Sequence, residues 1–168
     1  MITNRRNFIV SVTAVSATAL NFRPAAAQAK EETSTDSDAE RRRANAALMQ
    51  RYAAAWRSGD LKTLVDCYHE AFTLHYFGAH PLAGTHAGRP AALRALAAVS
   101  RKTNRRLLAI VDVMASAERA ALIAREAFER DGEKAELERL FVYTTLAGRL
   151  HECWIYDSDQ QRVDRFLR

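Results

Sequence analysis

The sequence predicts an α+β domain: three helices, a strongly curved and mostly antiparallel sheet, and a short closing helix. Three observations carry that expectation. Apolar residues recur at helical spacing through the first half, four runs with strand texture fill the second, and Asp131-Gly132 separates two of those runs like a hairpin turn. A length of 168 residues fits one domain able to bury a core. With 48% hydrophobic and 27% charged residues, the composition excludes a collagen, a coiled coil and a wholly disordered chain.

The chain opens on what reads as an export address. Residues 1–29 hold Arg5, Arg6 and Arg23 and no acid, an apolar run from Phe8 to Leu20, and the small-residue tract Ala25-Ala26-Ala27-Gln28-Ala29. A basic start, a short apolar run and an Ala-x-Ala ending are the three parts of a secretory signal. The run is too short and too rich in Ser, Thr and Ala for a permanent membrane anchor, which takes roughly 20 apolar residues. The paired arginines ahead of Phe8-Ile9 resemble a twin-arginine signal, which implies a periplasmic or secreted protein. Cleavage is expected after Ala29, with Ala27 as the next choice. Without this segment the formal charge of +5 falls to +2.

Residues 30–38 are rich in Glu, Thr, Ser and Asp and read as a disordered lead-in, with the domain spanning 39–168. Ser37-Asp38-Ala39-Glu40 has the form of a capping box and predicts a helix start. Ala44, Ala47, Leu48, Tyr52, Ala55 and Trp56 then form one apolar stripe, and Gly59 stops the helix. Asp60 caps a second helix bearing Leu61, Leu64, Val65 and Tyr68. Phe72 to Phe77 reads as a strand and Gly78 to Gly88 as a loop. Pro90 to Ser100 reads as a third helix with proline in its first turn. Leu107–Met114, Ala120–Arg130, Glu136–Leu146 and Leu150–Tyr156 read as four strands, and Asp159 as the cap of a last helix, Gln160 to Leu167.

That order of elements, together with Gln50-Arg51-Tyr52, Ser58-Gly59-Asp60-Leu61, Gly84-Thr85-His86-Ala87-Gly88-Arg89 and Trp154-Ile155-Tyr156-Asp157, resembles the NTF2-like superfamily. Its SnoaL-like and ketosteroid-isomerase-like branch is the nearest in flavour, and the likeness runs from Ala39 to Leu167. The resemblance implies a cone with an apolar pocket at its open end, often in a homodimer. Members include isomerases, polyketide cyclases, epoxide hydrolases, dehydratases and binding modules, so the fold alone leaves the function open.

Ketosteroid isomerases pair a carboxylate base with a tyrosine and a protonated aspartic acid that stabilise the enolate oxygen. The resemblance places Tyr52 at the oxyanion tyrosine and Tyr76 where the base belongs, with Arg139 and Leu140 near the second acid. The steroid-isomerase mechanism is therefore not expected. Tyr52 reads either as a donor or as a core tyrosine with a satisfied hydroxyl.

Other groups are candidates for acid–base work. Alternation in Leu122-Ala124-Glu126-Phe128 puts Glu126 on an apolar face, where a carboxylate is desolvated and its pKa raised. It either serves chemistry there, or faces solvent while Arg125 is buried, or pairs with an arginine. Asp112 interrupts Leu108-Ile110-Asp112-Met114 in the same manner. On the last strand His151, Cys153, Ile155 and Asp157 share the face that the family register makes pocket-lining. His75 is a candidate acid, base or donor at the pocket mouth.

The expected pocket, lined by Tyr52, Trp56, Tyr76, Leu122 and Phe128, takes a small, largely apolar molecule. Acid–base chemistry falls to Glu126, His75 or Asp157 with Tyr52 as donor. The alternative is a binding or dimerisation module without chemistry. No cofactor or metal is expected, because the spacing of His69, His75, His80 and His86 matches no common zinc site. A bridge between Cys67 and Cys153 is conceivable in an oxidising compartment, two separate buried thiols being the preferred reading. Neither a Gly-x-Gly-x-x-Gly, a P-loop nor a Gly-x-Ser-x-Gly motif occurs. The basic cluster Lys102, Arg105 and Arg106 has no interleaved aromatics, so nucleic acid is not an expected partner.

Overall fold

A computed structural model describes the backbone of residues 25–168 and the side chains from Asp36 onward. The twin-arginine motif and the apolar run behind it lie outside the described residues. Helix α1 (Ala25–Ser58) is longer than its capping box predicted, and the expected lead-in is helical. Ser37 does not act as an N-cap, because it lies inside the helix, where its hydroxyl accepts from Arg41 Nη1 at 3.0 Å. The helix's first residues, Ala25 to Glu32, hold four Ala, two Glu, one Gln and one Lys, all strong helix formers. The buried stripe is also rotated from the predicted one. Asn45, Leu48, Met49, Tyr52, Ala53 and Ala55 face inward, whereas Ala44 and Ala47 are exposed. Asn45 anchors the stripe: its amide nitrogen donates to the carbonyls of Ser116 and Ala117, and its oxygen accepts from Thr145 Oγ1.

Helix α2 (Leu61–Cys67) starts at the expected cap, with Asp60 Oδ1 accepting from the Thr63 N–H at 3.0 Å. It runs directly into strand β1 (Tyr68–Tyr76), so Tyr68 belongs to the sheet and not to the helix. The expected loop contains a short strand, β2 (Gly84–His86), that folds back on β1. Helix α3 (Arg89–Thr103) carries proline in its first turn and ends on Asn104 in the left-handed region.

Strands β3 (Arg106–Ala115), β4 (Ala120–Arg130), β5 (Glu133–Leu146) and β6 (Arg149–Asp157) form an antiparallel meander, each within a few residues of its predicted run. Helix α4 (Gln160–Leu167) closes the chain with Asp159 Oδ1 accepting from Arg162 N–H. The sheet has six strands in the order β2-β1-β6-β5-β4-β3, with β1 parallel to β6. Four helices therefore pack on one curled, open, mixed sheet.

Alternation decides what faces the helices. Along β4 the buried set is Ala120, Leu122, Ala124, Glu126 and Phe128; along β5 it is Ala135, Leu137, Arg139, Phe141 and Tyr143. Strand β3 departs from simple alternation because its pairing with β4 shifts register twice. The shifts turn Asp112 outward, where its Oδ1 accepts from the Val113 N–H, while Leu107, Ile110 and Val113 pack on the core.

Candidate functional site

Between α1, α2, α3 and the inner face of β1, β5 and β6 lies a cavity of about 440 Å³. Its walls are mostly apolar and aromatic, with Trp56, Leu64, Phe72, Leu96 and Phe141 prominent. Trp56 meets Phe141 edge-on at 5.3 Å between centroids, a favoured geometry that fixes both rings. Such a cleft suits a small molecule.

Three tyrosine hydroxyls supply most of the polarity. Tyr52 comes from α1, Tyr68 from the start of β1 and Tyr143 from β5, and their rings meet edge-on around Tyr52. The Tyr143 hydroxyl donates to that of Tyr52 at 3.2 Å, and the Tyr52 and Tyr68 hydroxyls share a hydrogen bond of 2.7 Å. Three O–H protons serve two bonds, so one proton, on Tyr52 or Tyr68, is left to donate elsewhere. Burial pushes Tyr52 up to about 12 and Tyr68 and Tyr143 well above their ordinary value. All three are neutral donors at physiological pH. Cys153 also lines the cavity, and burial raises its thiol to about 12, which leaves it no thiolate character.

Arg105 reaches the cavity from the turn after α3, with its guanidinium carbon 5.9 Å from the Trp56 ring centroid. Behind it, Arg105 Nε stands 3.5 Å from Glu126 Oε1. This contact links the cavity to a second polar group deeper in the fold.

That second group is built on Arg139, which is 1% exposed. Its Nη1 donates to Glu126 Oε2 at 2.9 Å, its Nη2 to the Tyr76 hydroxyl at 2.6 Å, and its Nε to Asp157 Oδ1. Cross-strand register explains the meeting, since Asp157 of β6 stands directly opposite Arg139 on β5. The rings of Tyr76, Phe128 and Phe141 pack around the guanidinium at 5.2–5.5 Å. Burial alone lowers an arginine, but Tyr76, Asp157 and Glu126 outweigh it and hold Arg139 well above its ordinary value. Phe141 has Trp56 and the cavity on one side and Arg139 on the other.

A model of the SnoaL-like domain matches residues 49–152, more than half of the chain. The chain belongs to the SnoaL-like domain family. Among solved structures, this SnoaL-like domain is similar to Bal32a, from a soil-derived mobile gene cassette. The two are 27% identical with a TM-score of 0.69 over 76% of this chain and 99% of Bal32a. An NTF2-like protein from Burkholderia xenovorans LB400 is 23% identical, with a TM-score of 0.61 over 75% of this chain and 97% of its own. TerC, co-crystallized with polyporic acid, is 17% identical with a TM-score of 0.63, over 74% of this chain and 98% of its own. The last two likenesses show the fold alone, the NTF2-like α+β cone. No curated protein matches the chain.

The SnoaL-like cone sorts the sequence-predicted residues into three places. Tyr52 and Trp56 line the cavity as expected. Glu126 is buried with the parity that alternation predicted, but it and Asp157 are held by Arg139, outside the cavity lining. Tyr76, Leu122 and Phe128 were expected in the pocket and are instead buried core residues outside its lining, Tyr76 bonded to Arg139 and Phe128 packed on its guanidinium.

His75 lies on the opposite face of β1 from Phe72, Leu74 and Tyr76, so it does not share a cavity with Glu126. Its ring stacks on Trp154 at 4.9 Å, its Nδ1 bonds Thr85 Oγ1, and its Nε2 is 3.5 Å from Glu152. His151 is displaced from the inner set by the register shift between β5 and β6, and packs against His69. Cys67 and Cys153 are separate, free and buried. Tyr68, Tyr143, Arg101 and Arg105 are cavity residues that sequence reasoning missed. For Tyr143 the signal was present, because it lies two steps from Arg139 on the same face of β5.

Proposed function

We propose that this SnoaL-like domain is a binding module for a small, largely apolar molecule carrying an acceptor oxygen. The observation that carries the reading is the pairing of an apolar cavity of about 440 Å³ with a tyrosine cluster holding one O–H to spare. An apolar ligand gains from leaving water, and its oxygen takes the proton that the cluster cannot use internally. TerC, which shares the fold, was co-crystallized with a small molecule, polyporic acid.

The enzyme reading, an isomerase, hydratase or cyclase type of proton transfer, needs a group that accepts a proton near neutral pH at the ligand. Among the described residues no Asp, Glu or His lines the cavity. Glu126 and Asp157 have their charges met by arginine, and His75 is on the outer face. Tyr52 alone favours that reading, as a donor to a carbonyl that gains charge.

The test is binding of N-phenyl-1-naphthylamine, an uncharged apolar fluorophore, followed by its emission and by thermal stabilisation. The wild type binds it, and Ala97→Trp, which fills the cavity from α3, does not while remaining folded. Equal binding by both proteins sinks the reading, as does a wild type that binds no apolar probe, charged or uncharged.

Export by a twin-arginine route belongs to the same proposal and rests on Arg5 and Arg6. Replacing both by lysine retains the protein in the cytoplasm; undiminished periplasmic accumulation contradicts the route. A homodimer is also proposed, its support being the outer sheet face, where Phe77 and Tyr156 pack with tilted rings at 5.1 Å and stay more than 40% exposed. Light scattering decides it, with Tyr156→Lys expected to shift the mass from two copies to one.

A further inference from the structure

The cavity is chemically one-sided. Every charged group on its lining is a cation, Arg101 and Arg105, and the spare tyrosine proton adds a neutral donor of the same polarity. Arg105 is the more telling of the two. Its side chain is only 15% exposed, and among the described residues its guanidinium makes an ion contact with Glu126 but no hydrogen bond. A guanidinium carries five N–H donors, and no nitrogen of Arg105 is both buried and unpartnered, so the donors that no protein group takes stay accessible to a ligand. Glu126 Oε1, the atom facing it, also lacks a hydrogen bond.

Charge counting points the same way. Arg105 and Arg139 balance Glu126 and Asp157, so the buried cluster is neutral. Arg101, exposed at the rim, has no ion-pair partner among the described residues and leaves the site one positive charge in excess.

Resting on the binding reading above, we infer that the ligand is an organic anion: an apolar body ending in a carboxylate or another oxyanion that Arg105 receives, with Arg101 beside it. The planar fork of Arg105 suits an oxyanion better than a neutral carbonyl, because two N–H donors then meet two equivalent oxygens. Trp56, beneath the guanidinium, holds the fork in place and packs the ligand's apolar part. An uncharged ligand leaves the donors of Arg105 unsatisfied. A cationic one meets two like charges.

The experiment compares two fluorophores with the same aromatic body, 8-anilino-1-naphthalenesulfonate and uncharged N-phenyl-1-naphthylamine. The wild type binds the sulfonate about tenfold more tightly than the uncharged probe at low salt. Arg105→Gln removes most of that preference and Arg101→Gln lowers it by about threefold, while binding of the uncharged probe changes far less. Near-UV circular dichroism shows that each variant keeps its packing, and Arg101→Gln, at an exposed position, covers the case in which Arg105→Gln unfolds. If the uncharged probe binds as well as the sulfonate, the anion inference is wrong while the binding module stands. If the sulfonate preference survives in both variants, the charge is met elsewhere and the inference is likewise overturned. If neither probe binds, the binding reading falls and takes this one with it.

Discussion

Two polar groups lie on the inner face of one sheet, and they are held in opposite ways. Around Arg139 the charges are full, buried and matched: two carboxylates and a tyrosine hydroxyl occupy one guanidinium, with aromatic rings closing the remaining sides. Around Tyr52 nothing on the tyrosines is charged, and one donor is left over. The first arrangement spends its guanidinium donors on its own carboxylates and on Tyr76, away from the cavity lining. The second is incomplete, and it faces the cavity. A carboxylate on an inward face was the natural candidate for chemistry, yet the strongest charges here serve the fold, while neutral hydroxyls and a half-satisfied arginine face the space a ligand can enter.

The sharpest way to break this contrast is to remove Arg139. Arg139→Met leaves Glu126 and Asp157 buried without their partner, and should cost about 3–5 kcal/mol of unfolding free energy, measured by denaturant titration. Adding Glu126→Gln and Asp157→Asn should restore much of the loss. A single variant as stable as the wild type shows that the cluster is not a structural unit.

Next in size is Gly78, at φ +125°, where a Cβ would sit 2.3 Å from Asp164 Oδ1. Asp164 accepts from the Ala79 N–H at 2.9 Å and so docks α4 against the end of β1. Gly78→Ala should cost about 2–4 kcal/mol by strain and by displacing that carboxylate. A loss well under 1 kcal/mol, on the same scale, means that α4 adjusts freely.

On the cavity side, Tyr52→Phe deletes the middle hydroxyl and strands those of Tyr68 and Tyr143. Stability should fall by about 1–2 kcal/mol and affinity for the naphthalenesulfonate with it. Unchanged affinity separates the tyrosine cluster from the ligand.

The smallest effect is a pH dependence. The Leu82 N–H donates to His80 Nδ1, so the ring is neutral with its proton on Nε2, directed at the Phe77 carbonyl. Burial lowers the pKa of His80 from its ordinary 6.5, Asp164 opposing. The unfolded chain then takes up a proton at a pH where the folded one does not, so stability drops as the pH falls through 6.5 and is regained above it. His80→Gln should flatten that slope in thermal melts between about pH 7 and 5.5. Identical slopes exclude His80 as the source.

How much of this was legible in the sequence follows the same divide. Local rules gave the caps at Asp60 and Asp159, the four long strands and the inward parity of Glu126, because each depends on neighbours a few residues apart. Pairing of Glu126 with an arginine was one of three readings that alternation left open, and register across β4, β5 and β6 was needed to choose it. What could not be read was depth. Leu122 and Phe128 share a face with cavity-lining strand residues, but only the placement of α1 and α3 decides which part of that face stays open. The register shifts that turned Asp112 and His151 aside are single-residue irregularities, invisible to a period-two pattern. Tyr68 was assigned to a helix because apolar spacing continued through it, although the chain turns into β1 there.

The parallel pairing of β1 with β6 also sets an order in time. The meander from β3 to β6 forms through short, sequence-local turns, whereas β1 must wait for a strand more than seventy residues downstream. Tyr143 and Cys153 come from those last two strands, so the cavity wall is missing until the C-terminal segment has been synthesised and docked. A chain shortened before β6 is expected to fold its hairpins without acquiring the site.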